Sequence, residues 1–398
     1  MIPKIDSEIG ISVYTTKFSG CGGIIKKQND DFIVSEVITE KARSRICSDS
    51  GYAVYKLKKN GIDTTHALGK IFKKHGLRLK ALGLKDASAV TEQFVFTTSK
   101  MKHDFEINEP KYSLKKIGFT DKPLSKKEMV GNHFQIKIDN ASDTVSQFEE
   151  HDMILNFYGY QRFGSSRPIT HLIGKSLLQK DYANVIQILL SSTSEYDKPE
   201  NTELRKMMSD KSKYHEAFKI IPNGMDLEKI ALKEMIEHDN PVRAIRALPL
   251  QIRRFFVHAY QSFIFNKTLS ASFENGEEVF SPQEDDVCYD KNGNLGKFEN
   301  DPDQRLSIPF VGYSYYKKTR FHYYIEKILQ DEEITSKDFF SKEMQEISNE
   351  GGFRNSSIKC DNYKVKDNVV SFLLSRGSFA TIILRELMKP HNPLASGF

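Results

Sequence analysis

Gly83-Leu84-Lys85-Asp86-Ala87-Ser88-Ala89-Val90-Thr91-Glu92-Gln93 sets one acidic side chain, Asp86, in a short loop of glycine, alanine and serine. A lysine-rich stretch with helical periodicity precedes the loop, and the strand-like run Phe94-Val95-Phe96 follows it. An aspartate on a loop between rigid elements and flanked by cations has two readings from these residues alone. It is a carboxylate nucleophile, or it is a side chain that caps a turn. The rest of the chain decides between them.

Working outward, Phe32-Ile33-Val34-Ser35-Glu36-Val37 and Tyr52-Ala53-Val54-Tyr55-Lys56-Leu57 combine β-branched and aromatic residues with partial alternation, which predicts strands. Asp63 or Thr64 can cap a helix that carries Leu68, Ile71 and Phe72 on one face, with Gly76 as its stop. His133-Phe134-Gln135-Ile136-Lys137-Ile138 alternates and predicts a further strand. The first third therefore reads as α+β with a mainly antiparallel sheet. Near residue 143 the pattern changes to helical periodicity, over Val145 to Leu155, Ile173 to Leu190, Leu227 to Glu237 and Leu250 to Phe273. Charged stretches at 192–212 and 281–303 predict loops. Strand chemistry returns at Val369-Val370-Ser371-Phe372-Leu373-Leu374, followed by Arg376-Gly377-Ser378-Phe379 and a helix from Ala380 to Met388. The economical organisation is a largely helical domain, 155–347, inserted into a catalytic domain formed by 1–154 and 348–398. The cleft between them is the expected site.

Composition narrows the class. At 398 residues, 39% apolar and 28% charged, the chain can bury a normal core and is expected to form two or three domains. No apolar run approaches the roughly 20 residues that span a bilayer, and the start Met1-Ile2-Pro3-Lys4 is no secretory signal, so a soluble cytoplasmic protein is expected. Cys21, Cys47, Cys288 and Cys360 are too scattered for a zinc site or a disulfide framework. The formal charge of +5 is modest, but Lys56, Lys58, Lys59, Lys70, Lys73, Lys74, Arg78, Lys80 and Lys85 face only Asp63 in that interval. Such a stretch suits a polyanion, or forms a solvated surface whose acids come from elsewhere. A P-loop, a strand–GxGxxG–helix, HExxH and GxSxG are all absent, which weighs against ATPase, dinucleotide, zinc-hydrolase and serine-hydrolase chemistry.

Two more segments carry polar groups amid aromatics. Asn156-Phe157-Tyr158-Gly159-Tyr160-Gln161-Arg162-Phe163-Gly164 offers rings that can stack on bases and an arginine that can meet phosphate. It is equally a packed junction with Phe157 and Phe163 as core. Ala259-Tyr260-Gln261-Ser262-Phe263-Ile264-Phe265-Asn266 sits inside a strong helical pattern and reads as core with buried polar partners.

In order along the chain, these blocks resemble the TruD family of tRNA pseudouridine synthases. Lys26-Lys27-Gln28-Asn29-Asp30-Asp31-Phe32-Ile33-Val34-Ser35-Glu36 is similar to its first motif, with Asn29 and Asp30 where bacterial members carry Pro and Glu. Gly83 through Gln93 resembles the signature, Gly131-Asn132-His133-Phe134 the third block, and Asn156 through Gly164 the opening of the inserted domain. The Ala259-Tyr260-Gln261-Ser262 helix and Arg376 through Leu387 are also family-like. The long insertions look closer to archaeal and eukaryotic members.

The resemblance implies a pseudouridine synthase fold with an inserted TRUD domain. It also implies isomerisation of a tRNA uridine, position thirteen being the expected target, with Asp86 as nucleophile and no cofactor or metal. Lys26 matches the active-site lysine. Asp30, Lys85, Asn132, Phe134, Arg162 and Phe379 are the expected substrate contacts, Phe134 stacking on an extruded base, Asn132 positioning Asp86 or the ribose, and Lys85 reaching phosphate. A monomer without an obligate protein partner is expected. Two other readings were weighed: a non-catalytic tRNA-binding or chaperone protein on the same scaffold, and another RNA-modifying enzyme such as a methyltransferase, for which no glycine-rich cofactor loop is found.

Overall fold

The computed structural model describes residues 1–47, 50–85, 87–100, 106–150 and 153–398. The candidate nucleophile Asp86 lies outside the described residues. The chain forms two compact units, one of residues 16–154 and 358–398, the other of 1–15 and 155–357.

The first unit is built on a nine-stranded sheet. Its strands are β1 (Phe32–Ile38), β2 (Tyr52–Asn60), β3 (Leu79–Ala81), β4 (Val90–Thr97), β5 (Ile107–Glu109), β6 (Tyr112–Thr120), β7 (Met129–Lys137), β8 (Asp361–Lys366) and β9 (Val369–Ser375). They lie in the order β8-β9-β7-β1-β4-β2-β6-β5, with β3 paired to β4. Only β1 and β4 run parallel; the other described pairs are antiparallel. The α+β class and the mainly antiparallel sheet agree with the sequence reading.

Alternation places the buried residues. Side chains two apart share a face, and β1 shows strict alternation of buried and half-buried positions. On the β2/β4/β6 half, Ala53, Tyr55, Leu57 and Val95 pack against Ala67 and Ile71 of the helix Thr64–His75. That helix begins as expected, with the Asp63 carboxylate accepting the His66 N–H, and ends at Gly76 with φ +67°. Phe72 departs from the expected buried face: it is 42% exposed, under the Arg78 guanidinium. Helix Ala380–Met388 has no exposed residue. The Cys21 and Gly22 N–H groups donate to the carbonyls of Leu387 and Met388, which the helix leaves unpaired at its end. Gly131 is required by close approach, since a Cβ there would lie 1.9 Å from the Leu374 carbonyl oxygen.

The second unit is mostly helical. Its 25-residue helix Leu250–Glu274 packs against Thr170–Leu178. A Cβ on Gly174 would stand 2.1 Å from the Phe256 carbonyl oxygen, so only glycine lets these two backbones meet. Val287–Tyr289, Leu295–Lys297, Arg305–Phe310 and Gly352–Asn355 form a four-stranded sheet beside the helices. Three sequence expectations are corrected. The periodic stretch from Val145 is a 3-10 segment, Asp143–Glu150, with a strand at Met153–Leu155, because its few apolar residues do not sustain a helical stripe. The Ile173 to Leu190 periodicity is two helices, Thr170–Leu178 and Tyr182–Ser191, broken where Lys180 adopts φ +59°. The charged stretches expected as loops are partly regular: 192–212 contains the helix Pro199–Met207, with proline at its first turn, and 281–303 contains the strands Val287–Tyr289 and Leu295–Lys297.

Candidate active site

Register brings the sequence motifs onto one sheet face. Lys59 on β2 pairs with Thr91 on β4, Thr91 with Val34 on β1, Val34 with Phe134 on β7, and Phe134 with Phe372 on β9. One step along lie Leu57 opposite Gln93, and Glu36 opposite Asn132, which in turn faces Leu374. Residues from the first, second and third family-like blocks thus lie side by side on adjacent strands. Thr91 Oγ1 and Asn132 Oδ1 are buried with no hydrogen-bond partner among the described residues. Such orphaned groups are uncommon in a native core.

The loop between β3 and β4 is held at Lys85, the residue before Asp86. The Lys85 N–H donates to Thr64 Oγ1 at 2.9 Å. Its carbonyl accepts from the Thr64 N–H at 3.2 Å and from Lys59 Nζ at 3.0 Å. Lys59 Nζ also reaches the Ile62 carbonyl at 2.9 Å, and the residue is 1% exposed. Gln93 completes the clamp, donating to the Gly83 carbonyl at 2.9 Å and accepting from Thr64 Oγ1 at 2.7 Å. Helix start, two strands and loop are therefore tied into one hydrogen-bonded unit.

Lys85 itself departs from its expected role as a phosphate contact. Its ammonium is 3.2 Å from Glu36 Oε1, and its side chain is 8% exposed. The other Glu36 oxygen accepts the Phe94 N–H at 2.9 Å. Burial pushes the Glu36 carboxyl above the usual range, while Lys85 and that N–H favour the ionised form. Lys56 likewise pairs with Glu92 rather than standing free. Sequence reasoning missed Lys59, Thr64, Gln93 and Glu36 as the loop's supports. One signal was available: Tyr55, Leu57 and Lys59 share the inward parity of β2, so the lysine had to be buried.

Lys26 is half-buried with φ +56°, uncommon for a residue with a side chain. Its neighbours fix it: Ile24 bridges Asp139, and the Ile25 N–H donates to the Ser396 carbonyl. The Lys26 ammonium stands 4.9 Å from the Phe32 ring centroid. Phe32 meets Phe134 edge-on at 6.1 Å, and Phe134 lies 5.5 Å from Phe372. Phe134 is 7% exposed, one ring of an aromatic layer. Asp30 is exposed in the turn Asn29–Asp31, with Asn60 Nδ2 3.5 Å from its carboxylate. Phe379 is half-buried at the N-cap of Ala380–Met388, after Gly377 (φ +87°). Ser375, which ends β9 just before this turn, pairs with Gly131 beside Asn132.

Arg162 belongs to the other unit. Its guanidinium lies 5.2 Å from the ring centroids of both Tyr158 and Phe255. Arg354 covers Tyr158 too, at 3.9 Å, and burial lowers the pKa of Arg162. No carboxylate among the described residues pairs with Arg162. Phe157 and Phe163 of the same block are fully buried, as the packed-junction reading has it. Among the described residues, one surface group, Glu234, Glu237 and His238, could gather around a metal, but Glu234 is engaged by Arg243 at 3.1 Å.

A family model described as "tRNA pseudouridine synthase D (TruD)" matches residues 8–387. A protein of Pyrobaculum islandicum named "Probable tRNA pseudouridine synthase D" is 30% identical, over 100% of this chain and 99% of its own. One of the same name from Methanosarcina barkeri is 27% identical over 98% of each. A crystal structure carrying the TruD name, from Methanosarcina mazei, superposes with TM-score 0.78 over 99% of both chains at 24% identity, which shows the shared fold. A family match running nearly end to end, with a relative 30% identical over the whole chain, makes this protein a member of the tRNA pseudouridine synthase D (TruD) family of isomerases.

Proposed function

We propose that this enzyme converts one uridine of tRNA, that at position thirteen, to pseudouridine, with Asp86 as nucleophile acting on a base extruded from its stack. The observation that carries the reading is the clamp on Lys85. Its backbone N–H and carbonyl are both bonded, and its ammonium is paired with a buried carboxylate. A turn that merely reverses the chain needs no such support; a loop that must hold a reacting group to within a fraction of an ångström does.

The reaction is an isomerisation. The N1–C1′ bond breaks, the base rotates, a C5–C1′ bond forms, and the C5 proton leaves as N1 gains one, so atoms and electrons balance without a co-reactant. Asp86 attacks C6 of the base or C1′ of the ribose, or assists a glycal intermediate; all three routes need an ionised carboxylate, which nearby ammonium groups favour. Extrusion costs a few kcal/mol. Stacking on the Phe134 layer and a hydrogen bond to Asn132, whose Oδ1 is orphaned, offset it. Lys26, Asp30 and Phe379 complete the pocket, and Arg162, near two rings and with no carboxylate partner among the described residues, serves RNA phosphate. A tRNA substrate implies a cytoplasmic enzyme, and we take it to act as a monomer.

The test is Asp86→Asn with a tRNA transcript carrying tritium at uridine C5. Tritium release should fall by roughly 10⁴-fold or more, with tRNA affinity held within about twofold. Turnover near the wild-type rate would refute the nucleophile. Weakened binding in step with lost activity would favour the non-catalytic RNA-binding alternative.

A further inference from the structure

The helix Thr64–His75 connects the clamped loop to a second feature. Beyond its first turn it presents Lys70, Lys73 and Lys74, which line an open groove of about 500 Å³. The opposite wall is the turn between β5 and β6, with Glu109, Pro110, Lys111 and the Tyr112 ring. Glu109 is held by Lys74, which keeps its carboxyl below the usual range. Lys70, Lys73 and Lys111 are exposed and have no ion pair among the described residues.

Bland explanations cover part of this. Lys73 and Lys74 lie in the helix's last turn, where cations are favoured by the dipole. Lys70 precedes that turn, and Lys111 comes from another element about forty residues on. Two separate elements thus place ammonium groups on one groove whose described lining holds a single, already engaged carboxylate. Mutual repulsion among them is relieved by a polyanion.

We infer that this groove binds the sugar–phosphate backbone of the tRNA arm flanking the target uridine, an inference that rests on the RNA substrate proposed above. The helix fixes the spacing. Thr64 grips Lys85, and Lys70 to Lys74 lie six to ten residues on, or ~9–15 Å along the axis. A duplex gripped there is positioned relative to the Asp86 loop by a rigid element rather than by a flexible arm. The contact reads backbone charge and shape, not base sequence.

The test is the triple variant Lys70→Gln/Lys73→Gln/Lys111→Gln beside its Lys→Arg counterpart. Affinity for a tRNA transcript is measured by filter binding across a salt series, together with kcat and KM. For the Gln triple the plot of log Kd against log salt should become shallower by roughly 2–3, with Kd raised about tenfold near 0.1 M salt and kcat unchanged. The Arg triple should bind like wild type. An unchanged Kd and slope in the Gln triple would overturn the inference and leave these lysines a solvated surface. The single charge reversal Lys111→Glu, on an exposed turn, gives the same readout should the triple lose stability. Because binding is read apart from turnover, a wild type that forms no pseudouridine would refute the proposed reaction while the salt slope still judged the groove.

Discussion

Two groups of buried charge, one in each unit, are handled in opposite ways. In the helical unit, Arg167 and Arg205 share Glu228 at 2.9 and 3.1 Å, and Arg205 also binds Asp197 at 3.0 Å. Every member has an opposite charge, and Glu228 ties together two arginines 61 and 23 residues before it. In the sheet unit, Lys59 Nζ donates to the Lys85 carbonyl and the Lys85 ammonium pairs with Glu36. There the Lys85–Glu36 pair and the buried Lys59 ammonium both bear on a single loop residue. On the proposed reading, the first network holds structure and the second supports the loop that carries the nucleophile, since burying charge is costly unless pairing or function compensates. Arg162 sharpens the contrast. It sits in the helical unit near the Tyr158 and Phe255 rings, with no carboxylate partner among the described residues, and the proposed reading places it with the RNA contacts.

Substitutions can break that distinction. Beyond the loss of turnover expected for Asp86→Asn, the largest effect on folding should come from Arg205→Leu. It strips a buried partner from Glu228 and Asp197 and should cost about 3–5 kcal/mol, read as a lowered melting temperature, with tRNA affinity unaltered.

His171 comes next. It is 3% exposed against Phe163 and Phe263, and burial holds its imidazole neutral with a pKa pushed down to about 4 from 6.5. Between those values the unfolded chain binds a proton that the native state does not. Stability should therefore fall as pH drops through that window, by on the order of 2–3 kcal/mol, and His171→Phe should flatten the profile in pH-dependent denaturation.

Glu36→Gln keeps an acceptor for the Phe94 N–H but leaves the Lys85 ammonium without its carboxylate. It should cost about 1–3 kcal/mol and lower kcat roughly 10- to 100-fold with little change in KM. Arg162→Leu is the smallest perturbation to folding, under ~1 kcal/mol, yet it should weaken tRNA binding and its salt dependence. A large loss of stability in Arg162→Leu would return that residue to the structural class.

Much of this was legible in the chain. Strand alternation gave β1, β2, β7 and β9 to within a few residues, and the Asp63 cap with Gly76 bounded the helix beside the site. Boundaries failed where local chemistry is ambiguous: a short apolar run served a 3-10 segment and a strand, and a charged stretch hid a helix opened by Pro199. Among the expected contacts, Lys26 and Phe134 are joined through Phe32, whereas Lys85 turns inward and Asp30 stands at the surface. A lysine's identity states its charge but not whether it faces water or a carboxylate; that depends on which strand lies beside it.

The sequence by itself determined the family, the sheet-forming and helix-forming segments, and the loop on which the chemistry is proposed to turn, because local propensity and motif order are written along the chain. Only the tertiary structure decided which cations are free. Lys59 and Lys85 are withdrawn to hold the loop, Lys56 and Lys74 are taken by Glu92 and Glu109, and Lys70, Lys73 and Lys111 are left to line a groove. The physical reason is that pairing and burial are properties of register between distant strands and helices. Sequence order fixes the parity of each side chain within its own strand, and the fold alone supplies the neighbour it meets.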